Sequence, residues 1–568
     1  MKNNRNVLLF LWICFVLRGL FYSAVLPVWE GYDEPFHFAY FQQLETDRSI
    51  PHPGAPVSRQ LEQSLHVLPL PWILAQSQLP APLFSHEQYW SLPPGKRLEL
   101  QQSFQTMPQN WAEQMGSEHI GNYEAKQMPL YYLLLFPVFH WCASLALPAQ
   151  VFLLRFASVL LASLVLPLGY LTARSTLKHN ALALSIVILI SALPELFINL
   201  ARVGNESLAL VAFSLMLYMA VRTVEGPGTF KYFSLLGIAL GLGLLTKGYF
   251  LTALPVFVLI ALWSWWRWPS DRRRIALNAL LATILLAAIA GPWYMGVHAR
   301  TGSWSGESYE IALRSMSKLQ LLAQARHVNW VSGVVSILLS HIWFGAWSFL
   351  KFSRIVYLLF GLIIFAALLG MCRAFLTWWN KRPLTQLEGF DRTKILVLLI
   401  FYLLFWAGLV YDTLIIYAAT GVSASNGWYM YSLIVAETIL LYVGLTAILP
   451  AQFQPHILPV LTALFVLLDL AGTHLLLVPY YTGITSHVTH DRIPLAGIGQ
   501  LFHTGILEFA HRLSVNKAAI LGPGILISLW IVYLAATVSL VAVAVKLSQE
   551  CHGATSLPSL RARTPHGL

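Results

Sequence analysis

The sequence predicts an all-α polytopic integral membrane protein, and three observations carry that reading. Of 568 residues, 57% are hydrophobic and only 11% are charged, against about 25% charged in a soluble domain. Twelve windows reach the ~20 apolar residues that a helix needs to cross the ~30 Å hydrocarbon core. The basic residues collect in short loops, as the positive-inside rule expects of the cytoplasmic side. The mean hydropathy of +0.63 agrees. The alternating strands of an outer-membrane barrel are not evident, and helices satisfy their own backbone in lipid.

The first apolar stretch, residues 7–27, follows Lys2 and Arg5. It is longer than the ~7–15 residues of a signal-peptide core, so an uncleaved first span is expected. The other spans are expected at 151–173, 180–199, 206–223, 231–247, 249–266, 274–297, 353–373, 393–412, 428–449, 457–478 and 519–545. That makes twelve, within a range of 11–14, with both termini cytoplasmic. Arg174 with Lys178, Arg267 with Arg272–Arg274, Arg373 with Lys381 and Arg382, and the tail (Lys546, Arg561, Arg563) then fall inside. The net charge of +11 is thereby a topology signal, and a nucleic-acid partner is not expected. Two further apolar segments, 130–147 and 331–350, break this parity and read as juxtamembrane or re-entrant helices on the outer side. The four cysteines, Cys14, Cys142, Cys372 and Cys551, have no disulfide or zinc spacing.

Three long outer loops follow from this count: 28–150, 298–352 and 480–517. Loops longer than ~15 residues are uncommon unless functional or disordered. The most informative stretch opens the first loop: Glu30, Asp33, Glu34 and His37 lie within eight residues, among aromatics. Adjacent acids repel, so a cation, a metal or a proton is needed beside them. A carboxylate there suits a general base, though a solvated acidic loop start gives the same pattern. Tyr123, Glu124, Lys126 and Gln127 end the same loop just before Pro129. They read either as a helix entry or as groups facing Asp33. Arg202, Asn205 and Glu206 sit at an outer turn, where a functional pair and a local ion pair are both open. Lys247 lies between two apolar segments on the outer side. A phosphate partner and a lysine reaching for lipid headgroups both fit it. Trp428 and Tyr429 enter the tenth span and suit a substrate wall or an aromatic belt.

Taken in order, these motifs resemble the GT-C superfamily of membrane glycosyltransferases. That superfamily includes protein O-mannosyltransferases, aminoarabinose transferases and many bacterial members. The resemblance rests on Asp33-Glu34-Pro35-Phe36-His37, Tyr123-Glu124-Ala125-Lys126-Gln127-Met128-Pro129-Leu130-Tyr131-Tyr132, Asn205-Glu206 and Leu245-Thr246-Lys247-Gly248. It covers residues 1–300, the expected catalytic module with loop 28–150, and leaves 301–568 as a variable C-terminal module. It departs from the pattern at Phe36, where relatives carry an arginine, and at Met128 and Trp428.

The resemblance implies a GT-C fold in a bacterial inner membrane. It implies transfer of a hexose or pentose from a polyprenyl-phosphate donor to a lipid, glycan or protein acceptor, with inversion. Asp33 would be the catalytic base and Glu34 its support. His37, Tyr123, Glu124, Lys126, Gln127, Arg202, Asn205, Glu206, Lys247, Trp428 and Tyr429 would bind substrate. A divalent metal (Mg, Mn or Zn) held by Asp33 and His37 is implied by some relatives and not by others. Two rivals stay open. A transporter or flippase would rely on Glu437 and Asp469, and a glycan polymerase or ligase on outer basic residues such as Arg314.

Overall fold

The computed structural model of the chain describes residues 2–114, 116–117, 119–226, 230–380, 387–487 and 503–553. Lys381, Arg382, Arg561, Arg563, the side chain of Cys551 and residues 488–502 of the third outer loop lie outside the described residues. Helix dominates. The strands among the described residues are a parallel pair of two residues each, Pro69–Leu70 with Phe84–Ser85.

Among the described residues, ten helices are long and apolar enough to cross a membrane. The count is eleven if Asn180–Ala192 and Pro194–Leu200, bent by 65°, form one span. Pro194 explains that bend, because a proline disfavours helical geometry in the residue before it. Of the twelve expected spans, the one at 231–247 falls short of a crossing length among the described residues. The helix there is Phe230–Leu244, 15 residues, about 22 Å at 1.5 Å per residue. It stops because the chain turns out at Leu245 and Thr246 and is extended at Lys247 (φ −154). Leu130–Cys142 and Trp330–Ile342 have 13 residues each, too short to cross upright. That length suits the juxtamembrane or re-entrant role expected of them.

One hydrophobic cluster runs from Leu11 to Leu547, so both halves of the chain share a core. The first helix, Lys2–Val25, packs on the last, Pro523–Gly553. Phe21 stacks on Tyr533 at 4.1 Å. One turn away Arg18 pairs with Asp469 at 2.8 Å, and the Tyr533 hydroxyl donates to the same carboxylate at 2.8 Å. Tyr22 donates to it as well. Elsewhere helix Arg354–Trp379 lies against Ile434–Ile448 so closely that a Cβ on Gly370 would strike the Gly444 carbonyl, which is backbone and cannot give. Gly370→Val should therefore separate these helices and cost about 2 kcal/mol or more, read as a lower SDS-denaturation midpoint.

The first outer loop is a helical cap with its own core, built on Trp29, Phe38, Phe41, Leu61, Tyr132 and Phe139. It is fastened to the other two outer loops. The Glu30 carboxylate accepts from Ser348 N–H at 3.0 Å and lies 3.1 Å from His86 Nε2. His487 stacks on Trp72 at 4.4 Å and reaches the Ser348 carbonyl at 2.9 Å.

Candidate active site

The segment Trp29–Asp33 is an elbow between the first helix and helix Glu34–Asp47. Both ends take left-handed backbone, Trp29 at φ 72 and Asp33 at φ 56, a conformation that costs a non-glycine residue of order 1–3 kcal/mol. Something must hold it, and Arg155 does. Its Nε and Nη2 grip the Glu34 carboxylate at 2.7 and 2.5 Å. Its Nη1 and Nη2 donate to the Leu26 and Pro27 carbonyls at 2.7 and 2.6 Å. Glu34 also accepts from Val203 N–H at 3.0 Å. Glu34 is fully buried and its lone pairs are taken. Its place is that of a clamp under the Asp33 elbow.

Asp33 itself precedes the helix but makes no side-chain capping bond. Its carboxylate instead accepts from the Tyr123 hydroxyl. Burial pushes the Asp33 carboxyl above its ordinary range, while the Tyr123 bond and the Arg202 and Lys247 charges pull it back. Tyr123 is 41% exposed and Asp33 half-buried, so the pair lies in a recess that opens outward.

The cationic wall comes from the outer turn. Glu206 bonds Arg202 and Lys247, each at 2.7 Å, so one carboxylate serves two buried cations. Lys247 also donates to Asn205 Oδ1 at 2.8 Å, and Asn205 Nδ2 to Gln127 Oε1 at 3.0 Å. The extended backbone at Lys247 makes this reach possible. Lys247 Nζ lies 5.7 Å from the Tyr429 ring centroid, and Arg202 lies over Tyr32 at 5.1 Å. Tyr32 in turn stacks on Trp428 at 4.3 Å. Trp428 thus braces the wall from behind, and Tyr429 faces Lys247.

The third side carries Glu124, His37 and Lys126. Asn122 caps this short turn by accepting from Glu124 N–H at 3.0 Å. Burial, and then repulsion from Asp33, push the Glu124 carboxyl up to about 8, and its Oε2 has no hydrogen-bond partner among the described residues. His37 Nε2 stands 3.9 Å away, and its Nδ1 is 2.6 Å from the Tyr132 hydroxyl. Burial holds this imidazole well below its usual pKa, so it is neutral. Burial also works against the charge on Lys126, but Glu307 and Glu124 outweigh it and raise its pKa. Lys126 pairs with Glu307 of the second outer loop at 3.0 Å.

One consequence concerns pH. The folded state holds the Glu124 proton longer than the unfolded chain does. Stability should therefore fall as pH rises from the ordinary glutamate range towards 8, and level off above it. Glu124→Gln should remove that loss. Its melting temperature should match wild type near pH 4 and exceed it increasingly up to pH 8, as thermal unfolding in detergent at stepped pH would read.

As a metal centre the site is poorly furnished. His37 Nδ1 is committed to Tyr132, and among the described residues no three His, Cys, Asp or Glu side chains converge. Asp33 and His37 alone make a thin donor set, so no step below runs through a metal.

The structure gathers Asp33, Tyr123, Glu124, His37, Gln127, Arg202, Asn205, Glu206, Lys247 and Tyr429 around one recess, with Lys126 at its rim. Glu34 and Trp428 stand behind the wall. Sequence reasoning missed Arg155, although an arginine inside an apolar helix was a visible signal, and it missed Glu307. The residues a transporter would need are occupied: Glu437 lies 2.6 Å from His341, and Asp469 is closed by Arg18, Tyr22 and Tyr533. Arg314 is exposed.

Comparison with known proteins gives a family match over part of the chain. Residues 135–301 match the model of the dolichyl-phosphate-mannose-protein mannosyltransferase family. The match covers the polar turn and Lys247, and the resemblance to the GT-C superfamily stands. Among solved structures, the chain is similar to ArnT from Cupriavidus metallidurans bound to undecaprenyl phosphate: 13% identity, TM-score 0.45, 98% of this chain and 81% of that one covered. It is also similar to the oligosaccharyltransferase of Archaeoglobus fulgidus: 13% identity, TM-score 0.40, 99% and 58% covered. No curated protein matches the chain.

Proposed function

We propose that this GT-C-like integral membrane protein transfers a sugar from a polyprenyl-phosphate donor to an acceptor on the extracytoplasmic side, with inversion at the anomeric carbon. One observation carries the reading: a carboxylate freed from capping duty, Asp33, shares a recess with two buried cations that are both ion-paired to one carboxylate, Glu206. A lipid phosphate is an apt partner for these cations. The acceptor hydroxyl or amine attacks the anomeric carbon, the bond to the phosphate oxygen breaks, and the phosphate leaves with the electron pair. Asp33 takes the acceptor proton. Lys247 and Arg202 stabilise the leaving phosphate, the electrostatic role that fixed charges in a water-poor site perform well. Glu34, through Arg155, holds the elbow that aims Asp33. The short turn at Glu124–Gln127 and Tyr429 contact sugar or acceptor.

With chemistry on the outer side, this reading expects both termini in the cytoplasm and a bacterial inner membrane as the setting. The deciding experiment is transfer of label from a panel of radiolabelled polyprenyl-phosphate sugars to membrane acceptors, with and without chelator. Transfer by wild type names the sugar, and loss on chelation would reinstate a metal. Failure with every donor, in well-folded protein, would overturn the reading and return attention to Glu437 and Asp469.

A further inference from the structure

We propose that the cleft between helices Pro94–Gln105 and Ile506–Ser514 docks the phosphate headgroup of an anionic lipid, at a place separate from the Asp33 recess. The cleft measures about 270 Å³, and its polar lining is Trp90, Arg97, Gln101, Glu508, His511 and Arg512. Two guanidiniums and an imidazole thus face one carboxylate.

Both guanidinium carbons lie over the same indole, Arg97 at 5.1 Å and Arg512 at 5.3 Å from the Trp90 centroid. Like charges gathered on one ring repel unless an anion joins them. The ring is fixed: Trp90 Nε1 donates to the Tyr481 carbonyl at 2.8 Å, and Gly483, at φ 70, packs against it where a Cβ would clash. Arg97 spends Nη1 on the Trp90 carbonyl at 3.0 Å. Arg512 spends Nε on Glu508 at 2.8 Å and Nη1 on the Thr482 carbonyl at 3.0 Å. Each keeps an Nη2 that no described residue engages. A guanidinium fork matches phosphate oxygens in geometry and charge.

The lip of the cleft is apolar. Leu98 is 54%, Ile506 53% and Leu507 71% exposed. It also stands at the membrane surface. Lys517 Nζ donates to the Val25 carbonyl at 3.1 Å, where the first span ends, and the last span begins at Pro523. A helix with charged and apolar faces at that height lies in the interface. A phosphate carried on acyl chains uses both the forks and the lip, whereas inorganic phosphate uses only the forks. The choline cation of a zwitterionic lipid meets two arginines. This inference does not depend on the sugar-transfer reading.

The test is equilibrium binding of radiolabelled dioctanoyl phosphatidate to the full chain in detergent. Arg97→Gln and Arg512→Gln should each weaken binding about tenfold. Gln101→Glu, which adds a negative charge and leaves both arginines in place, should weaken it comparably. Should Arg512→Gln fail to fold, the other two variants decide. Inorganic phosphate and dioctanoyl phosphatidylcholine should displace the label only at concentrations at least about tenfold higher. Unchanged binding in the cleft variants overturns the proposal. So does equal displacement by either competitor, or loss in Lys247→Met with the cleft variants unaffected.

Discussion

Asp33→Asn should lower sugar transfer by about 10²–10⁴-fold, the range that a positioned general base supplies, while the protein inserts and melts as wild type does. The separation of effects follows from local geometry. Asp33 lends no side-chain bond to the helix it precedes, and asparagine also tolerates left-handed backbone. Its amide still accepts from Tyr123 through the remaining carbonyl oxygen. What it cannot do is take a proton. Single-turnover transfer with a labelled donor, beside a melting curve, reads both quantities. Wild-type rates from a correctly inserted variant would remove Asp33 from the mechanism.

Arg155→Met should act the opposite way, on the fold first. The methionine fills much of the space but leaves the Glu34 carboxylate buried with only the Val203 and Gly31 N–H groups, at 3.0 and 3.4 Å. Breaking a buried pair on one side costs about 3–5 kcal/mol. The Leu26 and Pro27 carbonyls each lose one of two donors too, keeping Lys517 Nζ and Glu30 N–H respectively. The elbow then loses its restraint, and transfer falls along with stability. Arg155→Met combined with Glu34→Gln should recover part of the stability, because the stranded charge is gone. A denaturation midpoint for each of the three proteins checks this. No recovery in the double variant would mean that the carbonyls, rather than Glu34, are what Arg155 serves.

These two residues also mark where the sequence was readable. The carboxylates and histidine after the first span, and a lysine at the end of an apolar run, announce themselves because charge at a membrane surface needs a reason. Span placement was legible for the same cause: hydropathy is a local property. Asp33 and Glu34 were told apart by the resemblance alone and not by the residues themselves, since neighbours in sequence face different surroundings once φ turns positive at Asp33. Arg155 reads as an interruption in an apolar helix, and nothing local says that its partner lies 121 residues earlier. The shortness of the helix expected over 231–247 is a matter of three residues at Leu245–Lys247 leaving it, held by Glu206 and Asn205 from another segment. Short tertiary bonds of this kind carry no periodicity.

The pairing of Arg18 with Asp469 has a consequence for how the chain is made. The first helix enters the bilayer early, carrying an arginine whose partner is synthesised 451 residues later. Until then it lacks that carboxylate, with the Ser191 carbonyl as its earlier partner, and an arginine charge in lipid costs about 2.5–3.5 kcal/mol on insertion scales. The first helix is expected to gain its full set of polar partners only when the segment carrying Asp469 arrives. A nascent chain stalled short of Asp469 would remain a client of quality control however complete its active site.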